Sequence, residues 1–465
     1  MLEKINEIVD KYPKRNAYVV GEESITYKVL WDNSFKYSIL LKKQSNKPVI
    51  IHGNKDIYMI ESILSCIMAN RTYIPVGLCT PKDRLKKIIE LSGASLIISE
   101  YDMEEFGIDK VSLNDLNKYD KFDIEKTINN NVYIIFTSGS TGVPKGVPIS
   151  KHNLENFVNW ISSLYPLDSY TNIHVLNQAN FSFDLSVADI YYSLCNGHTL
   201  YALRTEDSCG LSINYDVIKN VDLIVATPTF IKLCLLDNDF NYNEFQHLKC
   251  IYFCGEELET KVVKKIYDRF PYIEIINAYG PTEATSAVSA VNIQKYMLND
   301  KLLPVGDMKH LATNVEIEDD EIVLSGESVF NGYLGDIVGG YSKVDGINTY
   351  KTGDLGYIED NYLYCKGRID NQIKHKGYRI ELSEIEYHLN NINCVDEAVV
   401  IAKKTEDGIV KSLKAFCVVN DDISSADVKK ELNKSIPEYM IPNVIEIVDS
   451  IPLNENFKIN RKDLD

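Results

Sequence analysis

As far as residue 300, short apolar runs of strand length alternate with stretches of helical periodicity. Val49–His52, Leu96–Ser99, Val132–Phe136, Asn172–Leu176, Leu223–Ala226 and Ile251–Cys254 read as buried strands, while Asp56–Asn70, Lys151–Leu164 and Glu259–Phe270 carry helical spacing. Strands that are apolar on both faces need a covering layer on each side. This order therefore predicts an α/β fold with largely parallel sheets.

The pattern then changes. Asn314–Ser325 and Tyr357–Tyr364 read as antiparallel hairpins, with turns at Asp319-Asp320 and Asp360-Asn361, and predict a small β-barrel-like subdomain. After the polar stretch Gly367–Asp370 comes a short α+β series. It comprises a helix near Ser383–Asn391, strands at Glu397–Ile401 and Leu413–Val419, a helix over Ser425–Ser435 and a strand at Asn443–Val448. The expected division is an N-terminal core of residues 1–369 and a small mobile C-terminal domain of residues 370–465.

Charge limits the partners. The net charge of −18 disfavours a broad nucleic-acid or anionic-membrane surface, which needs clustered positive charge, so any anionic ligand must be held by a local site. Met1-Leu-Glu-Lys-Ile-Asn has no signal-peptide layout, and no apolar run approaches the ~20 residues of a membrane span. The ten cysteines contain no CxxC pair and read as reduced thiols. The expectation is a cytoplasmic protein without nucleic-acid binding or membrane insertion.

The segment Thr137–Lys145, Thr-Ser-Gly-Ser-Thr-Gly-Val-Pro-Lys, runs out of a predicted buried strand. Gly139 and Gly142 permit positive φ and close backbone approach, so successive N–H groups can form an anion-binding nest. Thr137, Ser138, Ser140 and Thr141 add hydroxyl donors, and Lys145 adds a point charge. That combination suits a polyphosphate. A flexible Ser/Gly linker seldom follows a buried strand directly, and the spacing is not that of a GxxxxGK[ST] loop.

Thr137–Gly146 resembles the phosphate-loop signature of the adenylate-forming superfamily. Further motifs follow in that family's order: Asn277-Ala-Tyr-Gly-Pro-Thr-Glu283, Tyr350-Lys-Thr-Gly-Asp354, Gly367-Arg368-Ile-Asp370, the run Lys374–Leu382, and Lys458. Within the superfamily, Phe181-Ser-Phe-Asp184, Tyr252-Phe-Cys254 and Tyr279–Thr285 are similar to the D-alanine-activating, carrier-loading ligases of teichoic-acid D-alanylation. The resemblance implies an AMP-forming ligase using ATP and Mg2+. It would activate a small amino acid, D-alanine first, and pass it to the phosphopantetheine thiol of a carrier protein acting in trans. The alternatives are a stand-alone peptide-synthetase-type adenylation enzyme for another amino acid, an acyl- or aryl-CoA synthetase, and a degenerate ligand-binding protein.

The same resemblance implies residue roles. Lys458 is the expected catalytic residue, a cation between two reacting anions. Phe457 precedes it where the family usually has glycine. Thr137 to Gly142, Lys145, Asn277, Ala278, Tyr279, Thr282, Asp354 and Arg368 would bind ATP, with Asp354 on the ribose. Glu283, with Thr137 nearby, would hold Mg2+, and Asp370 would be the hinge. Asp184 would pair with the substrate ammonium, or alternatively cap the helix that follows it. Cys254, Ala188 and Ser286 would line the side-chain pocket, with a plain buried cysteine as the alternative at Cys254. The small Ala188 and polar Ser286 depart from the D-alanine pattern and leave D-serine or glycine open. Lys374, His375, Lys376, Lys403 and Lys404 form a candidate basic patch for an acidic carrier, or an ordinary solvated charge run.

Overall fold

The computed structural model describes residues 1–43, 45–101, 103, 106–113, 130–139, 142–164, 172–204, 215–299, 302–335, 337, 339–370, 372–375, 377–405, 410–420, 423–452 and 461–464. Contacts divide the chain into two compact units. One comprises Met1–Leu78, Ser92–Ile135 and Gly146–Gly367; the other comprises Cys79–Leu91, Phe136–Lys145 and Arg368–Asp465.

The first unit is built on sheets whose strands are short and apolar. An eight-stranded sheet runs in the order Ser289–Asn292, Glu274–Tyr279, Cys250–Phe253, Leu223–Ala226, His174–Asn177, Thr199–Ala202, Asn16–Val20, Glu23–Thr26. Its interior pairings are parallel and only its two edge strands run antiparallel. A six-stranded sheet follows the order Asp109–Val111, Leu96–Ile98, Val49–Gly53, Tyr73–Gly77, Asn131–Thr137, Lys145–Ser150. Leu223–Ala226 and Cys250–Phe253 are buried at every position, as strands covered on both faces must be.

The helices follow the same logic. Ile57–Met68 is apolar nearly all round and is buried nearly all round. Thr260–Arg269 buries only Val262, Val263 and Ile266 and turns its lysines outward. Pro228–Cys234 begins with proline at the first turn, and the Thr227 side chain accepts the Phe230 N–H.

A second six-stranded sheet, antiparallel throughout, is built from Gly306–Asp307, Tyr362–Arg368, Ile347–Glu359, Glu321–Ser325, Asn314–Glu318 and Tyr341–Val344. Both predicted hairpin turns are present. Asp319-Asp320 and Asp360-Asn361 adopt φ of 49° and 65° in each case, the left-handed pair that a two-residue hairpin loop requires and that Asp and Asn tolerate.

The second unit carries a three-stranded sheet of Val395–Lys404, Val410–Val419 and Val444–Ile447, and a hairpin of Gln372–His375 with Tyr378–Glu381. Helices Leu382–Asn390 and Ser425–Leu432 cover a core of Ile380, Ile385, Leu389, Val400, Leu413 and Leu432. Each such side chain contributes about 1.5–3 kcal/mol on burial. The first two strands extend beyond their apolar stretches, because cross-strand hydrogen bonding continues through Lys403 and Lys404.

Candidate active site

In the first unit, the strand Glu274–Tyr279 delivers Asn277, Ala278 and Tyr279, all buried, to one end of the eight-stranded sheet. The Asn277 amide donates to the Pro304 carbonyl at 2.8 Å. The chain then turns sharply at Gly280, where a Cβ would lie 2.5 Å from the Ala287 Cα, so only glycine fits. A single 3-10 turn, Thr282–Ala284, buries Thr282 and Glu283.

Two tyrosines fix two acids of this wall. The Tyr279 hydroxyl donates to Asp354 Oδ2 at 2.6 Å, and Asp354 is 3% exposed. Burial, with the Asp354 charge adding to it, pushes the Tyr279 hydroxyl well above its ordinary pKa. The Tyr333 hydroxyl donates to Glu283 Oε1 at 2.7 Å and lies 3.3 Å from the Tyr350 hydroxyl. The ring of Phe330 packs edge-on against Tyr333, Tyr341 and Tyr350 and holds the cluster in place.

Asp184 stands at the head of helix Leu185–Asn196 and is 7% exposed. It occupies the capping position with helical φ and ψ, and its side chain makes no cap hydrogen bond. The capping alternative is thereby corrected. Ala188, one turn further on, is fully buried. Cys254 is also buried, with its Sγ 4.0 Å from the Ser286 carbonyl oxygen. The Tyr252 hydroxyl is pushed well up by burial, and the charges of Cys254 and Asp184 add to the shift.

The phosphate loop belongs to the second unit. Thr137 closes the strand Asn131–Thr137, and the buried Ser138 donates its hydroxyl to the Arg379 carbonyl at 2.7 Å. The Gly139 N–H donates to Glu384 Oε2 at 3.0 Å. Gly142 has φ of 77° and donates its N–H back to the Gly139 carbonyl; a Cβ there would strike the Tyr387 ring at 2.0 Å. Glu384, fully buried, also accepts from Arg84 Nη1 at 2.7 Å. In this structure the loop therefore presents an N–H to an anion, here a carboxylate. Lys145 opens the strand Lys145–Ser150.

Arg368 and Asp370 form a two-pronged pair at 2.7 and 2.8 Å. Burial works against ionisation of Asp370. Arg368, the Gln372 N–H and the charge of Arg379 outweigh it and hold the carboxyl below its ordinary value. Of the candidate basic patch, His375 is buried, which removes it from any docking surface, and Lys404 is exposed. Ser140, Thr141, Lys376 and Lys458 lie outside the described residues.

Sequence reasoning missed Arg84, Glu384 and Tyr333. Arg84 carried a usable signal, since arginine is scarce in a chain so rich in lysine. Glu384 and Tyr333 carried none, because a glutamate near a helix start and a tyrosine in a loop are common.

Among the described residues no group of three or more His, Cys, Asp or Glu could hold a metal ion, and none of the helices is long and apolar enough to cross a membrane. A single carboxylate such as Glu283 is nevertheless a fitting donor set for Mg2+, which keeps waters and takes most of its remaining ligands from substrate phosphates.

The chain belongs to the AMP-binding enzyme family, whose profile matches residues 5–334, and the profile of its C-terminal domain matches residues 384–458. It is 37% identical to the D-alanine–D-alanyl carrier protein ligase of Bacillus cytotoxicus, over 100% of this chain and 98% of that one. Identity to the ligase of the same name from Bacillus licheniformis is 35%, with the same coverage. Its fold resembles the Vibrio cholerae adenylation domain AlmE solved with glycyl-adenosine-5'-phosphate (TM-score 0.84, 21% identity, 100% and 96% coverage). It also resembles the o-succinylbenzoate CoA synthetase MenE of Bacillus subtilis (TM-score 0.81, 19% identity, 99% and 98% coverage).

Proposed function

We propose that this chain is an AMP-forming ligase that activates D-alanine and transfers it to a carrier protein. In the first step a carboxylate oxygen of the amino acid attacks the α-phosphorus of ATP, and pyrophosphate leaves. In the second a carrier thiol attacks the acyl carbon, and AMP leaves. Asp184 carries the amino-acid reading. It is a buried carboxylate at the start of the helix that also carries Ala188, where a substrate cation would be held by charge as well as by hydrogen bonding. A substrate ammonium supplies that cation.

The other roles rest on the resemblance of these motifs to the adenylate-forming superfamily, and the geometry and charge of the described residues support them. Asp354, oriented by Tyr279, accepts the ribose hydroxyls, and Asn277 to Tyr279 with Thr282 frame the base. Thr137 to Gly142 with Lys145 receive the phosphates, and Glu283 contributes one oxygen to Mg2+, which offsets phosphate charge when bound. Lys458 supplies the cation between the two anions, a mainly electrostatic contribution. Residues 370–465 act as the mobile domain. Asp370 is the hinge, where a few residues absorb the φ/ψ change as the domain turns. The acceptor is the phosphopantetheine thiol of a separate carrier.

Adenylate formation with D-alanine against propionate tests this reading, since propionate keeps the carboxylate and lacks the ammonium. D-Alanine is expected to be active and propionate inactive; equal activity would sink the role of Asp184. Lys458→Ala is expected to abolish adenylate formation while ATP still binds.

A further inference from the structure

The segment after Gly280 carries several buried hydroxyls, and they are not satisfied alike. The Thr285 hydroxyl donates to the Ser328 carbonyl at 2.8 Å, and the Ser289 hydroxyl donates to the Val305 carbonyl at 2.9 Å. Ser286 lies between them. It is 3% exposed, and its Oγ has no hydrogen-bond partner among the described residues. Its backbone is held at φ of 71°, a conformation that a side chain other than glycine adopts at a cost. A hydroxyl buried without a partner is unfavourable until something arrives to pair with it.

The surroundings say what could arrive. The Ser286 carbonyl is the group that Cys254 Sγ approaches, so Ser286 sits beside the wall assigned to the amino-acid side chain. Ala188, on the helix that Asp184 heads, is small and fully buried. The side chain of alanine has nothing to offer a hydroxyl; a β-hydroxyl can both donate and accept.

We propose that Ser286 is a specificity-determining residue that recognises a substrate hydroxyl, and that this ligase activates D-serine as well as D-alanine. The proposal rests on the reading of Asp184, Cys254 and Ser286 as one small-amino-acid pocket. A site that pairs with a substrate hydroxyl discriminates strongly against the analogue that lacks it, because the protein group is then left unpaired.

The test is amino-acid-dependent ATP–pyrophosphate exchange by the full chain with D-alanine, D-serine and D-2-aminobutyrate. The last has the size of D-serine with a methyl in place of the hydroxyl. Wild type is expected to prefer D-serine over D-2-aminobutyrate by about tenfold or more in kcat/KM. Ser286→Ala should bring that ratio to about one or invert it. Ser286→Gly should do the same while relaxing the positive φ, which separates loss of the hydroxyl from misfolding. Because the ratio is internal to each enzyme, it does not depend on how much active protein survives. A wild-type ratio near one, or a D-serine preference that persists in Ser286→Ala, would overturn the proposal and leave D-alanine activation standing. Absence of exchange with every amino acid would instead overturn the function on which it rests.

Discussion

The Tyr279 hydroxyl donates to the Asp354 carboxylate at 2.6 Å, and each residue is 3% exposed. This bond joins the end of a strand in the parallel-rich sheet to the middle of Ile347–Glu359 in the antiparallel sheet. It also fixes the acid expected to receive the ribose. Because burial keeps the tyrosine protonated, the donor is present at any working pH. Hydrogen bonds to charged groups contribute about 1.5–3 kcal/mol, so Tyr279→Phe is expected to raise KM for ATP by roughly tenfold or more. Steady-state kinetics with varied ATP checks this; an unchanged KM would remove Tyr279 from nucleotide binding.

Tyr333 holds Glu283 in the same way, at 2.7 Å. Tyr333→Phe removes one of the contacts that orient the carboxylate. The expected outcome is a rise of about threefold in the Mg2+ concentration giving half-maximal adenylate formation, in line with loss of one hydrogen bond. A titration of activity against Mg2+ at saturating ATP reads this directly. Loss of maximal rate with an unchanged Mg2+ midpoint would place Tyr333 outside metal binding.

Arg84 and Glu384 are a buried pair within the second unit, with side chains 6% and 0% exposed. Removing one partner leaves a buried charge uncompensated, so Arg84→Met is expected to destabilise that unit by about 3–5 kcal/mol. The double variant Arg84→Met, Glu384→Met should recover much of the loss, because no charge is then left buried without its partner. Urea denaturation of the two variants checks the sign. A double variant no more stable than the single one would show that the Gly139 contact matters more than the charge pair.

His52 and His198 predict a pH dependence. Burial lowers both to about 4 from an ordinary 6.5, with Arg15 lowering His198 further. The His198 Nδ1 accepts the Ile173 N–H, which requires the neutral ring. Between pH 6.5 and 4 the unfolded chain takes up protons that the folded chain refuses. Stability is therefore full above pH 6.5 and falls as the pH drops toward 4, by roughly 3 kcal/mol for each histidine. Denaturation midpoints at pH 7, 6 and 5 should fall in that order; a flat profile would mean that the two rings are protonated in the folded state.

Much of this was legible in the sequence, for identifiable reasons. Buried strands such as Leu223–Ala226 and helices such as Lys151–Leu164 are marked by local periodicity, and that periodicity is a sufficient cause of both. The hairpin turns are written in Asp and Asn at left-handed positions. The motif around Tyr279 and Glu283 could be singled out because it is contiguous in the sequence, and the resemblance it carries needs no distant partner. What was not legible depends on distant partners. Tyr333 meets Glu283 across 50 positions, and Arg84 meets Glu384 across 300. The orphan hydroxyl of Ser286 is visible only once its satisfied neighbours are seen. His375 sits in a run that reads as surface charge, yet hairpin pairing with Tyr378 sets it in a buried position.

The most direct test of the central claim is amino-acid-dependent ATP–pyrophosphate exchange by the wild-type chain with D-alanine and L-alanine in parallel. The account predicts robust exchange with D-alanine and a clear preference for the D-enantiomer. Exchange driven better by L-alanine, or none with either, would contradict it.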